Sequence, residues 1–170
     1  MMKYLTVFSL LVLASCGEGE KPKPDPEWDT EKSIKMNKEF AAEQDLDIKM
    51  FLSHFEGKEI VETGSGLRYM PLVKTDGEKA KVGQDAKVVY KISLLDGKVV
   101  YETPKDELDV FRVDNSQVES GIHEGIKLMH VGEKAKLIFP SHLAHGLVGD
   151  MKDIPPLSPL VVDIELVELQ

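Results

Sequence analysis

Cysteine is nearly missing from this chain: Cys16 is the only one in 170 residues. One thiol closes no internal disulfide, so any folded domain must be held by packing, and no cysteine cluster at metal-ligand spacing is possible. Tryptophan occurs once, at Trp28, and aromatic residues make up 6% of the chain. Trp28 lies at the end of a stretch rich in proline and charge, so it is not the floor of a pocket. Basic charge is also short, with 21 Lys and Arg against 30 Asp and Glu and a net charge of -9. Such a surface gains nothing from phosphate backbones or anionic headgroups, which argues against nucleic acid as a partner. The apolar run Tyr4 to Leu13 is too short to span a bilayer as a mature helix. There is no internal repeat.

What is present begins with that run. Met1 to Lys3 forms a short positive start, and the run ends in Leu13-Ala14-Ser15-Cys16. This ending resembles the lipobox of bacterial lipoproteins. The resemblance implies a signal peptide over 1–15, cleavage before Cys16, a diacylglyceryl thioether on its sulfur and an acylated amine. Two or more acyl chains anchor stably where one does not. The alternative is an ordinary secretory signal with an incidental cysteine; the position of the only cysteine at the expected cleavage point favours the lipoprotein. The expected location is the cell envelope, lipid-anchored to a bacterial membrane on its periplasmic or surface side. Loss of Lys3 leaves 20 basic against 30 acidic residues, a net of -10.

Residues 16–29 read as an extended, solvated tether, with Pro22, Pro24 and Pro26 alternating with charges. Residues 30–57 read as a helix that Asp29 or Thr30 caps and Gly57 stops. Ile48, Phe51, Leu52 and Phe55 recur at i, i+3, i+4 and i+7. That stripe fits either a dimerisation helix or a helix docked on its own domain. It covers only about two turns, which favours docking and a monomer over a dimer. The charged residues from Glu31 to Lys49 read as a solvated face.

From Leu67 onward the period changes to two. Leu67 to Val73 is a strand. Ala86, Val88, Tyr90 and Ile92 alternate with Lys87, Val89 and Lys91. Leu95-Asp96-Gly97-Lys98 is a hairpin turn leading into Val99 to Glu102. Leu108 to Val113 is another strand. Ser120 is placed to cap a short helix carrying Ile122, Ile126 and Met129. Ala135, Leu137 and Phe139 alternate with Lys134, Lys136 and Ile138, and Leu160, Val162, Ile164 and Leu166 alternate with Val161, Asp163, Glu165 and Val167. The expectation is an α+β domain: a largely antiparallel sheet with one buried face, plugged by the short helix.

Leu95-Asp96-Gly97-Lys98, Gly121-Ile122-His123-Glu124-Gly125, Met129-His130-Val131-Gly132, Phe139-Pro140-Ser141, Ile154-Pro155-Pro156 and the terminal Leu160 to Leu166 run together resemble the FKBP-type peptidyl-prolyl isomerases in order and spacing. The resemblance covers 64–170. It is similar in flavour to exported, lipid-anchored members, including macrophage-infectivity-potentiator-like and gliding-motility-associated ones. It implies a half-barrel of antiparallel strands around one short helix, a pocket between helix and sheet, clients containing proline, and no cofactor. The implied function is isomerisation of prolyl bonds in exported proteins; the alternative is a weakly active or inactive binding module on the same fold.

Carried over by matching, Tyr90 and Phe111 are pocket walls, and Val118 and Ile154 line it. The Glu119 N–H donates to the substrate carbonyl, a contact independent of its side chain. Departures surround them. Ile122 stands in place of a tryptophan floor, Val100 of a phenylalanine, Tyr101 of an aspartate, Asp109 of an aromatic, Val162 of a phenylalanine and His145 of a tyrosine. The expected catalytic set is Tyr90, Phe111 and His145, with Val100, Tyr101, Val118, Glu119, Ile122, Ile154 and Val162 binding substrate. Tyr90 and Phe111 equally suit plain core. His145 suits a rim donor or a solvated loop residue. His123, His130, His142 and His145 have no carboxylate or thiolate at ligand spacing, so no metal is expected.

Overall fold

The computed structural model describes residues 29–170. The expected signal peptide, the lipidated Cys16 and the tether up to residue 28 lie outside the described residues. Among the described residues, no helix is long and apolar enough to cross a membrane.

The first helix, α1, runs Thr30–Leu52. Asp29 is its N-cap: the carboxylate accepts the Lys32 N–H at 2.7 Å and satisfies one of the orphan donors of the first turn. Glu31 in the first turn and Lys49 in the last oppose the helix dipole. A 3-10 turn, Ser53–Phe55, follows. Gly57, at φ 78°, then reverses the chain in a conformation that costs a Cβ-bearing residue more.

The strands are β1 (Val61–Glu62), β2 (Arg68–Val73), β3 (Asp85–Leu94), β4 (Val99–Glu102), β5 (Asp109–Arg112), β6 (Lys134–Phe139) and β7 (Leu160–Leu169), with the short helix α2 (Ser120–Ile126) between β5 and β6. Their order is β1-β2-β6-β7-β3-β4, with β5 also beside β3, and every pairing is antiparallel. Ten-residue β3 serves two partners along one edge. Asp85 to Val88 pair with β5, and Lys91 to Ser93 pair with β4. The sheet curls, and α2 fills the hollow.

Period-two burial places Ala86, Val88, Ile92, Ala135, Leu137, Phe139, Leu160, Val162, Ile164 and Leu166 in one core with Ile122, Ile126 and Met129 of the α2 region. Two glycines let the helix approach. A Cβ on Gly121 would come within 2.5 Å of the Phe139 ring, and one on Gly125 within 2.4 Å of Leu137. The Gly-Ile-His-Glu-Gly motif is thus a packing requirement: bare backbone against β6, with Ile122 pushed into the hollow.

Two expectations are corrected. The sheet has more than one buried face. Ile138 and Val161 point away from α2 yet are buried, because Ile48 of α1 covers them, with Phe51, Leu52 and Leu95 around the patch. The stripe on α1 docks on its own domain. Ser120 does not cap α2. Glu119 is the N-cap, with no side-chain cap bond, and its carbonyl receives the Ile122 and His123 N–H groups at 2.9 and 3.2 Å.

Candidate active site

The residues expected to form the pocket come from β3, β4, β5, the start of α2, the β6–β7 connection and β7. Phe111, Ile122, Ile154 and Val162 belong to one buried cluster, and Tyr90, Val100 and Val118 pack against it from half-exposed positions. The fold therefore brings most of the expected set together. Ile122 and Val162 are 0% exposed, whereas Phe111 and Ile154 retain 6% each. The floor is aliphatic and closed. The accessible surface belongs to Tyr90, Val100, Tyr101, Val118, Glu119 and His145.

A bulge explains how β4 serves the site with adjacent residues. Ile92 faces Tyr101 and Ser93 faces Val99, so Val100 is the extra residue. Val100 reaches the core, while Tyr101 stays on the face of its cross-strand partner Ile92. The Tyr101 ring lies 5.2 Å from that of Tyr90, tilted by 33°. Two tyrosines from neighbouring strands form one wall.

Asp109 holds that wall. Its carboxylate accepts the Tyr101 hydroxyl at 2.9 Å and the Thr103 hydroxyl at 2.5 Å. Thr103, buried, also accepts the Tyr90 N–H at 3.0 Å. Burial, then the Asp109 carboxylate, pushes the Tyr90 phenol above its ordinary range, and the same two causes raise that of Tyr101. Both remain neutral phenols at physiological pH. Asp109 thereby fixes the tyrosine pair.

Phe111 is propped from behind. His123 meets its ring edge-on, with centroids 5.5 Å apart and 76° between planes. The Asp114 N–H donates to His123 Nδ1 at 3.1 Å, which leaves Nε2 to donate to the Ser116 carbonyl at 3.2 Å. His123 is thus a buried support. The sequence does carry its signal, a histidine one position after an inward isoleucine on a short helix. Thr103 gives no such signal, since its role depends on β3 and β5 meeting around it.

At the rim, His145 Nε2 lies 3.1 Å from a carboxylate oxygen of Glu119. His145 is a partnered rim residue rather than a solvated loop histidine. Among the described residues, the Glu119 N–H meets no protein acceptor. It is a free donor at the start of α2. Ile154 is held by Asp150, whose Oδ1 accepts the N–H groups of Lys152, Asp153 and Ile154 at 2.9, 2.9 and 2.7 Å. Those bonds, with that of Ile154 first, hold the Asp150 carboxyl below its ordinary value.

His130 and His142 lie apart, and His130 Nδ1 is buried with no hydrogen-bond partner among the described residues. His142 bonds the Ser65 carbonyl, and His130 Nδ1 lies 3.4 Å from buried Glu133. Among the described residues, no group of three or more His, Cys, Asp or Glu side chains is placed to hold a metal ion.

The site is thus a curled antiparallel sheet closed over a short helix, with two tyrosines and a free N–H beside a buried apolar cluster. The family model described as FKBP-type peptidyl-prolyl cis-trans isomerase matches residues 76–167, and the chain belongs to that family. It is 36% identical over 138 residues to the FKBP-type peptidyl-prolyl cis-trans isomerase FkpA of Escherichia coli K12, covering 80% of this chain and 50% of that protein. It is 38% identical over 94 residues to the peptidyl-prolyl cis-trans isomerase FPR2 of Saccharomyces cerevisiae, covering 54% of this chain and 70% of that one. The crystal structure of FkpA from Escherichia coli superposes with a TM-score of 0.67 at 32% identity, over 81% of this chain and 64% of that one. The chain spans about half the length of FkpA.

Proposed function

We propose that the protein is a peptidyl-prolyl cis-trans isomerase acting on proline-containing segments of exported polypeptides. The barrier to rotating an X-Pro bond is about 18–20 kcal/mol, set by amide resonance that is lost on twisting. The planar amide is the more polar form, so a dry apolar surface disfavours it relative to the twisted one. No nucleophile or strong acid is required. Tyr90, Phe111, Val118 and Ile154 supply the apolar surface, with Val100, Tyr101, Ile122 and Val162 around and beneath them. The Glu119 N–H donates to the substrate carbonyl, and His145 closes the rim. The observation that carries this reading is the unpartnered Glu119 N–H at the edge of the Phe111–Ile154 cluster.

A protease-coupled assay on X-Pro peptides tests it. The protein accelerates isomerisation, and Tyr90→Ala or Phe111→Ala lowers kcat/KM about tenfold, or ~1.4 kcal/mol of transition-state stabilisation. A rate no higher than buffer overturns it. One observation favours a second reading: Ile122 and Val162 are wholly inaccessible, so the site is shallow and suits holding a prolyl segment without twisting it. Protection of an aggregating client by a protein with no isomerase rate selects that binding module.

The location is part of the proposal. Leu13-Ala14-Ser15-Cys16 supports an envelope protein anchored through lipid on Cys16, with the domain carried on the tether as a monomer. Metabolic labelling with a fatty-acid analogue gives a labelled protein, and Cys16→Ser abolishes the label. Equal labelling of both removes the anchor from the proposal.

A further inference from the structure

The helix α1 bonds to the loop that carries His145. Gln44, 6% exposed, accepts the Ser141 N–H at 2.7 Å through Oε1. Ser141, 4% exposed, is the root of the loop: its carbonyl receives the Ala144 and Gly146 N–H groups at 2.9 and 2.7 Å. His145 lies between those two donors and reaches Glu119. Gly146 in turn accepts the Leu157 N–H at 3.0 Å, which ties in the segment following Ile154. One side chain of α1 thus fixes the peptide from which the whole rim hangs.

The anchorage of α1 is strong enough for that role. Ile48 is 0% exposed against Ile138 and Val161, and Asp45 pairs with Arg68, itself 4% exposed. Asp45, Gln44 and Ile48 share one side of the helix. Phe40 and Ala41 of the preceding turn continue it, lining a groove of about 330 Å³ with Ser141, Gly146, Leu147 and Leu157. Gln44 is a long polar residue where a helix seated only by apolar contact would carry an aliphatic one.

We infer that Gln44 is a positioning residue for the rim of the prolyl site, acting through Ser141 on His145. The inference rests on the proposed reading of His145 and Glu119 as that rim. A buried peptide N–H that loses its acceptor must find another, and among the described residues no other hydrogen bond holds the root of the Ser141 loop to the helix. Without Gln44 the loop samples more conformations, and His145 meets the twisted amide less often.

The test uses the full chain with Gln44→Met, which fills a similar length and lacks the acceptor, and Gln44→Glu, which retains it. Amide hydrogen exchange is followed at Ser141, Ala144 and Gly146, with β3 and β7 amides as reference. Gln44→Met speeds exchange at the three loop amides about tenfold while the strands stay unchanged, and Gln44→Glu restores it in part. On an X-Pro peptide, kcat of Gln44→Met falls about threefold or more and KM moves less. Unchanged loop exchange, or an equal rise across the whole domain, overturns the inference, because the bond is then idle or merely structural. Faster loop exchange with unchanged kcat also overturns it, since the loop is then uncoupled from the site. A wild-type chain without isomerase activity sinks the proposed function alone, and exchange still decides whether Gln44 holds the loop.

Discussion

At the scale of single residues, the site depends on a few side-chain hydrogen bonds. His145 faces Glu119 at 3.1 Å from the position of the family's tyrosine. A tyrosine hydroxyl and an imidazole both donate one hydrogen bond in that place. His145→Tyr therefore keeps or raises kcat/KM, and His145→Ala lowers it about threefold, the scale of one ordinary hydrogen bond; the peptide assay reads both. Asp150 gathers three N–H groups on Oδ1 to hold Ile154. Asp150→Ala leaves three donors without their acceptor and lowers Tm, whereas Asp150→Asn keeps an amide oxygen in place and lowers it less. Equal loss in both variants rejects that account. Gly121 is constrained by space: its Cβ has no room beside the Phe139 ring. Gly121→Ala costs about 1–3 kcal/mol in urea unfolding, because both ring and helix must shift.

At the scale of elements, α1 is the addition that the half-barrel itself does not need. Its apolar stripe is short, yet it buries Ile48 completely and covers Ile138 and Val161. Ile48→Ala costs about 2–4 kcal/mol, and the loss is independent of protein concentration if α1 docks within one chain. A concentration-dependent midpoint indicates a dimer instead. The polar contacts of α1 carry a pH signature. Asp45 is held below its ordinary value, first by its bond to Lys49 and then by Arg68. A lowered folded-state pKa means stability that is present above the unfolded value and lost as pH falls through the folded one. The wild type thus loses Tm below about pH 4 by more than Asp45→Asn does. Parallel decline of the two proteins refutes the assignment.

The strands show how far patterning reaches. Alternation in β3, β6 and β7 located the inward residues correctly, because one face of a strand meets the core at every second residue. It failed at Ile138 and Val161, which sit in outward register and are buried. Nothing within β6 or β7 marks them except their apolarity. Their cover is Ile48 of α1, 90 residues before Ile138 and 113 before Val161 in the chain. The bulge at Val100 was equally hidden, since it arises from the mismatch between β3 and β4 rather than from either strand.

At the scale of the whole molecule, charge is spread as cross-strand and loop pairs over an acidic surface. Asp85 binds Arg112 through two oxygens at 2.8 and 2.9 Å, and Glu168 binds Lys87 at 3.1 Å; both carboxyls are lowered by those bonds first. These pairs are exposed and contribute little individually. Together with Asp45 and Asp150 they set a common acid limit of the fold, on the same sign argument. The net charge of -9 at pH 7 acts in the opposite direction there, through repulsion among the excess carboxylates.

The sequence by itself determined the class of the domain, the strands and the short helix, and the inward residues of β3, β6 and β7. Each of these follows from local rules: period, turn chemistry, glycine at points of close approach, and motifs short enough to be read in place. Only the tertiary structure decided what those residues do to one another. Gln44 meets Ser141, Glu119 meets His145, and Asp109 meets Tyr101 and Thr103 across separations of 97, 26, 8 and 6 residues. Such pairs depend on directions of side chains brought together by the curl of the sheet and the docking of α1. A hydrogen bond is fixed by distance and angle in space, which no pattern along the chain records.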